Sequence, residues 1–157
     1  MRVLRWVLYA FAALAIGLAL LMLVARRLDG PLGPIPGGPL GGAPSLEDPG
    51  DWSFAGDVPT LELEVGGRSR TVWYVTRGPV LYVAAAEAER KRWPAEAAAD
   101  GRVRLRVGGR LYERQAVRIT EPSVAGPVEE AFRAKYQVDL DPEAAARVWL
   151  FRMDPRG

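Results

Sequence analysis

The N-terminal part of the chain contains one long uncharged hydrophobic run, in contrast to the alternating apolar and polar positions further along. Residues 6–25 read WVLYAFAALAIGLALLMLVA without a charged side chain. A helix of this length, at about 1.5 Å per residue, spans the roughly 30 Å hydrocarbon core of a bilayer. We therefore predict a transmembrane anchor within residues 1–28 and a single-pass membrane localisation. Arginines stand on both sides of the run, so the charge pattern favours neither orientation: Arg2, Arg5, Arg26 and Arg27.

A cleaved signal peptide is the alternative interpretation of this run. The run is longer than a usual signal-peptide core, and the segment MLVARR has no A-x-A site and becomes basic where cleavage would fall. A buried core helix would need a polar face, which the run lacks. These features favour an anchor.

Proline and glycine dominate the next segment. Residues 29–50 read DGPLGPIPGGPLGGAPSLEDPG. Proline removes backbone donors and glycine raises the entropy cost of ordering, so neither helix nor strand is expected. We predict an extended linker over residues 29–56, tethering a domain at residues 57–157; a proline-rich ligand for a partner domain is the alternative.

From residue 57 the pattern changes to short β-branched and aromatic runs separated by Gly, Pro and charged residues, which predicts strands. One helix is expected after the third strand, where Pro94 suits the first helical position and Asp100-Gly101 a left-handed stop. A second helix is expected after the fifth strand, and Asp141-Pro142 caps a further short turn. The mainly apolar stripe of the second helix is Val128, Ala131, Phe132 and Lys135. The predicted strands are residues 60–65, 70–76, 80–85, 102–107, 112–119 and 147–153. This order predicts an α+β domain, a small barrel of about six antiparallel strands with two or three helices.

Composition limits the chemistry of this domain. Cysteine and histidine are both absent, which excludes disulfides, Ser-His-Asp and Cys-His nucleophiles and the commonest transition-metal sites. If the protein is an enzyme, a bound organic cofactor is expected to supply the chemistry, and no catalytic residue or metal site is assigned. The net charge of +2 is too small to indicate nucleic-acid binding.

Basic residues outnumber acidic ones between residues 86 and 118. Arg102, Arg104 and Arg106 alternate with aliphatic residues, so strand periodicity places the three guanidinium groups on one face. That face suits an anionic ligand such as a phosphate, or it is a solvated strand face that charge keeps soluble.

The segment Arg90-Lys91-Arg92-Trp93-Pro94 sets three cations and an aromatic ring directly before a predicted helix. An anion there would meet side-chain charge together with free backbone N–H groups. Alternatively, Trp93 packs the helix onto the barrel while the cations face water or lipid headgroups. The other strand aromatics are expected to pack in the core or at the barrel rim: Trp73, Tyr74, Tyr82 and Trp149.

Three runs together resemble the split β-barrel flavin-binding superfamily, which includes the pyridoxamine-phosphate-oxidase-like proteins. They are GGRSRTVWYVTRGPVLYVAA, KRWPAEAAADGRVRLRVGGRLYERQAVRITEP and RVWLFRMDP. The likeness is greater to the deazaflavin-dependent nitroreductase and quinone-reductase branch. Arg70-Thr71 is similar to the Arg-Thr entering that branch's second strand, and Trp93 with Ala99-Asp100 is similar to its tryptophan, helix and turn. The branch's serine–glycine loop, which contacts cofactor phosphate, is shortened here to Gly67-Arg68-Ser69.

The resemblance implies a split barrel that binds FMN or a deazaflavin and delivers hydride to a quinone-like or nitro-type acceptor. It also implies a homodimer with the cofactor at the subunit interface. By this resemblance, Arg70 and Lys91 contact the cofactor phosphate and Trp93 shapes the pocket. Together with the basic residues singled out above, the predicted cofactor-binding residues are Arg70, Thr71, Lys91, Arg92, Trp93 and Arg104.

Three functions follow from these features. The first is a membrane-anchored flavin- or deazaflavin-dependent reductase. The second is a cofactor-free split-barrel module for binding or assembly at the membrane, which the shortened loop favours. The third is a cationic surface that docks on anionic membrane lipid.

Overall fold

The computed structural model describes residues 2–139 and 141–156, with side chains from Leu4 onward. Within these residues an N-terminal helix precedes an α+β domain. The helices are α1 (Arg2–Ala25), α2 (Arg92–Asp100), α3 (Pro122–Tyr136) and α4 (Pro142–Ala146). The strands are β1 (Leu61–Val65), β2 (Arg68–Val72), β3 (Tyr74–Arg77), β4 (Val80–Ala85), β5 (Arg102–Val107), β6 (Arg110–Ile119) and β7 (Trp149–Pro155).

Helix α1 stands apart from the core of the domain. Its segment Leu4–Ala25 has 22 residues and a mean hydropathy of 2.6, and it is long and apolar enough to cross a membrane. Nearly all of its apolar side chains are exposed. In water this exposure would be unfavourable, so the helix requires an apolar environment or a partner.

The seven strands form one curled antiparallel sheet in the order β2-β1-β5-β6-β7-β4-β3. The predicted fold class, an apolar N-terminal helix followed by an α+β split β-barrel, is confirmed. The prediction of one strand over residues 70–76 is wrong, because Trp73 interrupts it. The chain leaves one edge of the sheet at Val72 and joins the opposite edge at Tyr74, so Trp73 lies where the two edges approach each other.

Alternating apolar positions build the barrel core. Leu63 pairs with Leu105 across β1 and β5, and neither side chain is exposed. The core continues to Phe151 on β7 and to Trp93 of α2, whose rings are 5.8 Å apart. Helix α2 begins at Arg92, two residues before Pro94, and ends at Gly101 in the predicted left-handed conformation (φ 75°). The core is thus shared by the sheet and α2.

Helix α3 covers the other side of the sheet. Val128 and Phe132 of the predicted stripe are buried in a second cluster with Val75 and Leu150. Asp141 caps α4 as predicted, because its carboxylate accepts a 2.7 Å hydrogen bond from the backbone N–H of Ala144. These two helices flank the place where the sheet edges meet.

Residues 29–48, which we call the strap, run across the outer face of the sheet. The strap has no helix or regular strand, as its composition predicts, but it does not hang free as a tether. Leu40 of the strap is fully buried. Its successive contacts are Gly37 with Ser69 on β2, Leu40 with Glu64 on β1, and Ser45 and Asp48 with Leu111 and Arg114 on β6. The segment after α1 is therefore part of the folded domain.

Candidate functional site

A cavity of about 610 Å³ opens where the two edges of the sheet meet. This volume lies within the roughly 300–1,000 Å³ that is usual for small-molecule sites. Strand β2, the end of β4, the start of α2 and helix α3 all contribute to its walls. The lining residues are Pro36, Arg70–Trp73, Ala84–Ala86, Lys91–Trp93, Glu129, Phe132, Arg133, Val138, Ala145, Val148 and Leu150. Five of the six predicted cofactor-binding residues, all but Arg104, therefore line one cavity.

Arg70 is the central cation of this cavity. It pairs with Leu63 in the β1–β2 register, so its side chain lies on the inner face of the sheet. The guanidinium carbon lies 5.5 Å from the centroid of the Trp93 ring. Among the described residues, its buried Nε has no hydrogen-bond partner. Burial lowers the pKa of Arg70 to about 10, partly offset by the charge of Glu96, so the group stays cationic at neutral pH. An unpaired buried donor on a cation is a ready site for an anion.

The entrance of α2 supplies further positive charge beside Arg70. Lys91 is the N-cap residue of α2, and its own side chain does not cap the backbone N–H groups of the first turn. Arg92 also lines the cavity, but its side chain is exposed and forms a 2.6 Å ion pair with Glu96. The carboxylate of Glu96 therefore balances the charge of Arg92. An anion bound here would meet Lys91, Arg70 and the positive end of the helix.

The opposite wall is largely apolar and aromatic. Trp73 lines this wall, and its ring stacks on the ring of Tyr136 with centroids 4.5 Å apart and planes at 6°. The Tyr136 hydroxyl accepts a 2.9 Å hydrogen bond from the Tyr74 N–H and lies 2.8 Å from the carbonyl oxygen of Pro59. Phe132 and Leu150 continue the apolar surface. The cavity is therefore amphipathic, with cations at one side and flat apolar surface at the other.

The lining residues of α3 were not identified from the sequence. Glu129, Phe132 and Arg133 have the spacing i, i+3, i+4, which places them together along one side of α3. Phe132 also belongs to the stripe that docks the helix. That spacing was the available signal. Trp73 was expected to pack in the core or rim, and it lies at the rim, where its side chain is 46% exposed.

Arg104 lies outside the cavity, on the outer face of the sheet under the strap. Its guanidinium donates to the carbonyl oxygens of Leu40 and Gly42 and lies 3.5 Å from Glu64, its neighbour on β1. Its Nε is the second buried donor without a partner among the described residues. Strap and cross-strand contacts thus occupy Arg104, an arrangement that strand periodicity could not predict because the strap comes from 64 residues earlier in the chain.

Arg106 has a similar position. It forms ion pairs of 2.7 Å with Glu62 and 2.9 Å with Asp29. The strap and neighbouring carboxylates therefore neutralise the arginine-rich face considered for anion or lipid binding.

The β1–β2 connection is a tight two-residue turn. Val65 pairs with Arg68, and both Gly66 and Gly67 have positive φ (58° and 72°), as a two-residue hairpin of this type requires. The shortened loop therefore offers no open cradle of backbone amides. Any phosphate in the cavity would depend on side-chain cations and on α2.

The described residues contain no group of three His, Cys, Asp or Glu side chains able to hold a metal ion. The residues present do fit an amphipathic anionic cofactor. The unpaired Nε of Arg70 suits a phosphate, and the apolar wall suits a flat ring system.

Comparisons with known proteins match a family model and several solved structures. The model of a family described as "Uncharacterized protein conserved in bacteria (DUF2255)" matches residues 61–150. Among solved structures, the chain is similar to a Listeria innocua protein described as a pyridoxamine 5′-phosphate oxidase. The TM-score is 0.50 with 12% sequence identity, over 63% of this chain and 85% of that one. No curated protein matches the sequence. At this identity the structural match shows the fold, a split barrel of the pyridoxamine-phosphate-oxidase-like type.

Proposed function

From the premise that this chain belongs to the DUF2255 family and has a pyridoxamine-phosphate-oxidase-like split barrel, we propose that it is a membrane-anchored flavin- or deazaflavin-binding reductase. The observation that carries this proposal is the buried, unpaired Nε of Arg70 in an amphipathic cavity of about 610 Å³. A flavin nucleotide has an anionic phosphate and a flat ring system, and the cavity offers a complementary group for each.

The residues have separate roles in this proposal. Arg70 and Lys91 bind the phosphate, with Thr71 and Arg92 in the adjoining wall. Trp93 holds the Arg70 guanidinium in place through its ring face. Trp73 and Phe132 provide apolar surface for the ring system and exclude water from it.

A bound flavin or deazaflavin supplies hydride transfer to an acceptor. We assign the acceptor to the quinone-like or nitro-type small molecules, and the cofactor to FMN or a deazaflavin. The support is the sequence likeness at Arg70-Thr71 and Trp93 to the deazaflavin-dependent branch. Helix α1 would hold the domain at the bilayer, where lipid-soluble acceptors concentrate.

A binding titration tests the proposal. The full chain, purified in detergent, is titrated with FMN and with a deazaflavin while cofactor and tryptophan fluorescence are recorded. We expect saturable micromolar binding of at least one of them. Arg70→Ala and Lys91→Ala should each weaken it by about 1–3 kcal/mol, because each removes a charge-assisted contact. The matched control is Arg102→Ala, since Arg102 is exposed and paired with Asp100 at 2.7 Å. A folded chain that binds neither compound would refute the proposal.

The tight β1–β2 turn favours a second candidate, a cofactor-free split-barrel module for binding or assembly at the membrane. Without the longer loop, a phosphate loses the backbone amides that would otherwise surround it. This candidate predicts no cofactor binding by a folded chain in the same titration. The family resemblance also implies a homodimer, which sedimentation of the detergent-solubilised chain would detect.

A further inference from the structure

The end of α1 is joined to the barrel by a closed loop. The chain continues in helical turns beyond Ala25, where the Leu28 N–H donates to the Ala25 carbonyl oxygen at 3.2 Å. Ten residues later, the Gly38 N–H donates to the Leu28 carbonyl oxygen at 3.1 Å. Residues 28–38 thus leave the end of the helix and return to it. We call this segment, which includes the first part of the strap, the anchor loop.

The base of the anchor loop is also bonded to the barrel. Gly37 and Ser69 exchange backbone hydrogen bonds of 2.9 and 3.3 Å, and the Ser69 hydroxyl donates to the Gly38 carbonyl oxygen at 2.6 Å. Ser69 is fully buried by this contact. The helix end, the anchor loop and β2 are therefore three consecutive hydrogen-bonded layers.

Glycines make this close approach sterically feasible. A Cβ at Gly37 would lie 1.8 Å from the carbonyl oxygen of Gly30, and one at Gly38 would lie 2.5 Å from that of Arg26. Both clashes are with backbone atoms that cannot move aside without opening the loop. A free tether would place no such demand on these positions.

The tip of the loop is apolar, exposed and close to the cavity. Leu32 at the tip is 48% exposed, and Leu28 at the base of the loop, three residues beyond α1, is 38% exposed. Leu32 and Ile35 exchange backbone hydrogen bonds of 3.0 Å, which makes the tip a tight turn. The Thr71 hydroxyl donates to the Gly33 carbonyl oxygen at 2.8 Å, and Pro36 lines the cavity. The tip therefore lies between the end of the helix and the cavity wall.

We propose that the anchor loop is a membrane-docking surface that fixes the barrel against the lipid headgroups, with the β2 side of the cavity at headgroup level. If α1 spans the bilayer, its last apolar residue marks the interface. Two hydrogen-bonded spacings of about 4.8 Å each then place β2 within roughly 10 Å of that level. Leu28, Leu32 and Ile35 enter the interfacial region, and Arg26 and Arg27 contact the headgroups. Because the docking needs α1 in the bilayer, it rests on the membrane-anchored part of the proposed function. For the proposed reductase, the substrate would enter from the lipid side.

Fluorescence quenching by lipid-bound nitroxides tests the docking without any cofactor or activity. Because the chain has no cysteine, a single label can be placed at Arg68→Cys, an exposed residue of β2 beside Ser69, or at Val117→Cys, an exposed residue on β6. In bilayers with headgroup-level nitroxides, we expect the label at residue 68 to lose most of its fluorescence and the label at residue 117 to retain it.

Loop variants show whether the anchor loop causes the docking. Gly37→Ala, or Gly38→Ala if the first variant expresses poorly, should abolish quenching at residue 68. Gly50→Ala should not, because a Cβ there meets no atom within 4 Å. Three outcomes would overturn the proposal: no quenching at residue 68, equal quenching at residues 68 and 117, or quenching that survives Gly37→Ala and Gly38→Ala. The mass of the protein in the membrane fraction is also measured. A mass that shows that α1 has been cleaved off would overturn the proposal as well.

Discussion

The guanidinium carbon of Arg70 lies 5.5 Å from the centroid of the Trp93 ring, joining β2 to α2 across the floor of the cavity. The two residues are far apart in sequence, and each is placed by a different element. The ring face stabilises the cation while leaving Nε unpaired among the described residues. This pair therefore prepares a positive charge in advance of any ligand.

Replacement of Trp93 should affect both folding and anion binding. Trp93→Leu removes the ring from the core and leaves Arg70 without its partner, so we expect a loss of roughly 2–4 kcal/mol of unfolding free energy. The folded fraction of the variant should also bind FMN more weakly, because Arg70 has lost the ring that positions it. Urea denaturation and the FMN titration measure the two effects. Trp149→Leu is the matched control, because Trp149 is only partly buried and does not line the cavity; equal loss of FMN affinity in both variants would argue against a specific role of Trp93.

The charge of Arg70 predicts the pH dependence of FMN binding. Burial lowers the pKa of Arg70 to about 10, so the protonated form that binds phosphate is present below that pH and is lost above it. FMN affinity should stay constant from neutral pH to about pH 9 and then decrease. Arg70→Lys should change the pH at which the affinity falls, because lysine and arginine differ in their ordinary pKa. Riboflavin, which lacks the phosphate, is the control ligand. An identical decrease for riboflavin and FMN would show that Arg70 does not contact the phosphate.

Local pattern predicted most of the fold. Val80–Ala85 and Arg102–Val107 appear with the predicted bounds, because a short apolar run, an apolar–charged alternation and nearby glycines are local signals. The break at Trp73 was missed because the residues around it are all good strand formers. What separates β2 from β3 is the geometry of the curled sheet, a property of the whole domain.

The site was predictable in part for the same reason. Lys91 and Trp93 were singled out by their position before a helix, a local feature. Arg104 was grouped with them by charge alone, and the strap that covers it depends on contacts between distant residues. Gly37 and Gly38 lie in the segment predicted as an extended linker, whereas in the structure they permit backbone atoms to pack closely. Composition therefore predicted that this segment has no helix or strand, but it did not predict that the segment packs against the barrel.

The strap predicts a specific loss of stability at its far end. Arg114 is buried, lies over the Trp52 and Tyr112 rings, and donates to the carboxylate of Asp48 at 2.5 Å. Asp48→Ala leaves this cation buried without its carboxylate, which should cost about 1–3 kcal/mol of unfolding free energy. Glu47→Ala is the control, since Glu47 is exposed. Thermal or urea unfolding that does not distinguish the two variants would mean that Asp48 is not needed to balance Arg114.

The hydroxyl of Tyr136 predicts how firmly α3 closes the cavity. It accepts from the Tyr74 N–H at 2.9 Å and lies 2.8 Å from the carbonyl oxygens of Tyr74 and Pro59. Tyr136→Phe keeps the stack on Trp73 but leaves the Tyr74 N–H unsatisfied. We therefore expect the free energy of unfolding to fall by roughly 1–3 kcal/mol. Hydrogen exchange should show faster exchange at that amide, while Tyr9→Phe in α1 should leave it unchanged.

Because the Trp73 ring is retained, FMN affinity should change little in Tyr136→Phe. Tyr136→Ala removes the stacking partner of Trp73 and should weaken both the docking of α3 and the binding of the flavin ring. If Tyr136→Phe and Tyr136→Ala behave alike in exchange and in FMN titration, the hydroxyl rather than the ring positions α3.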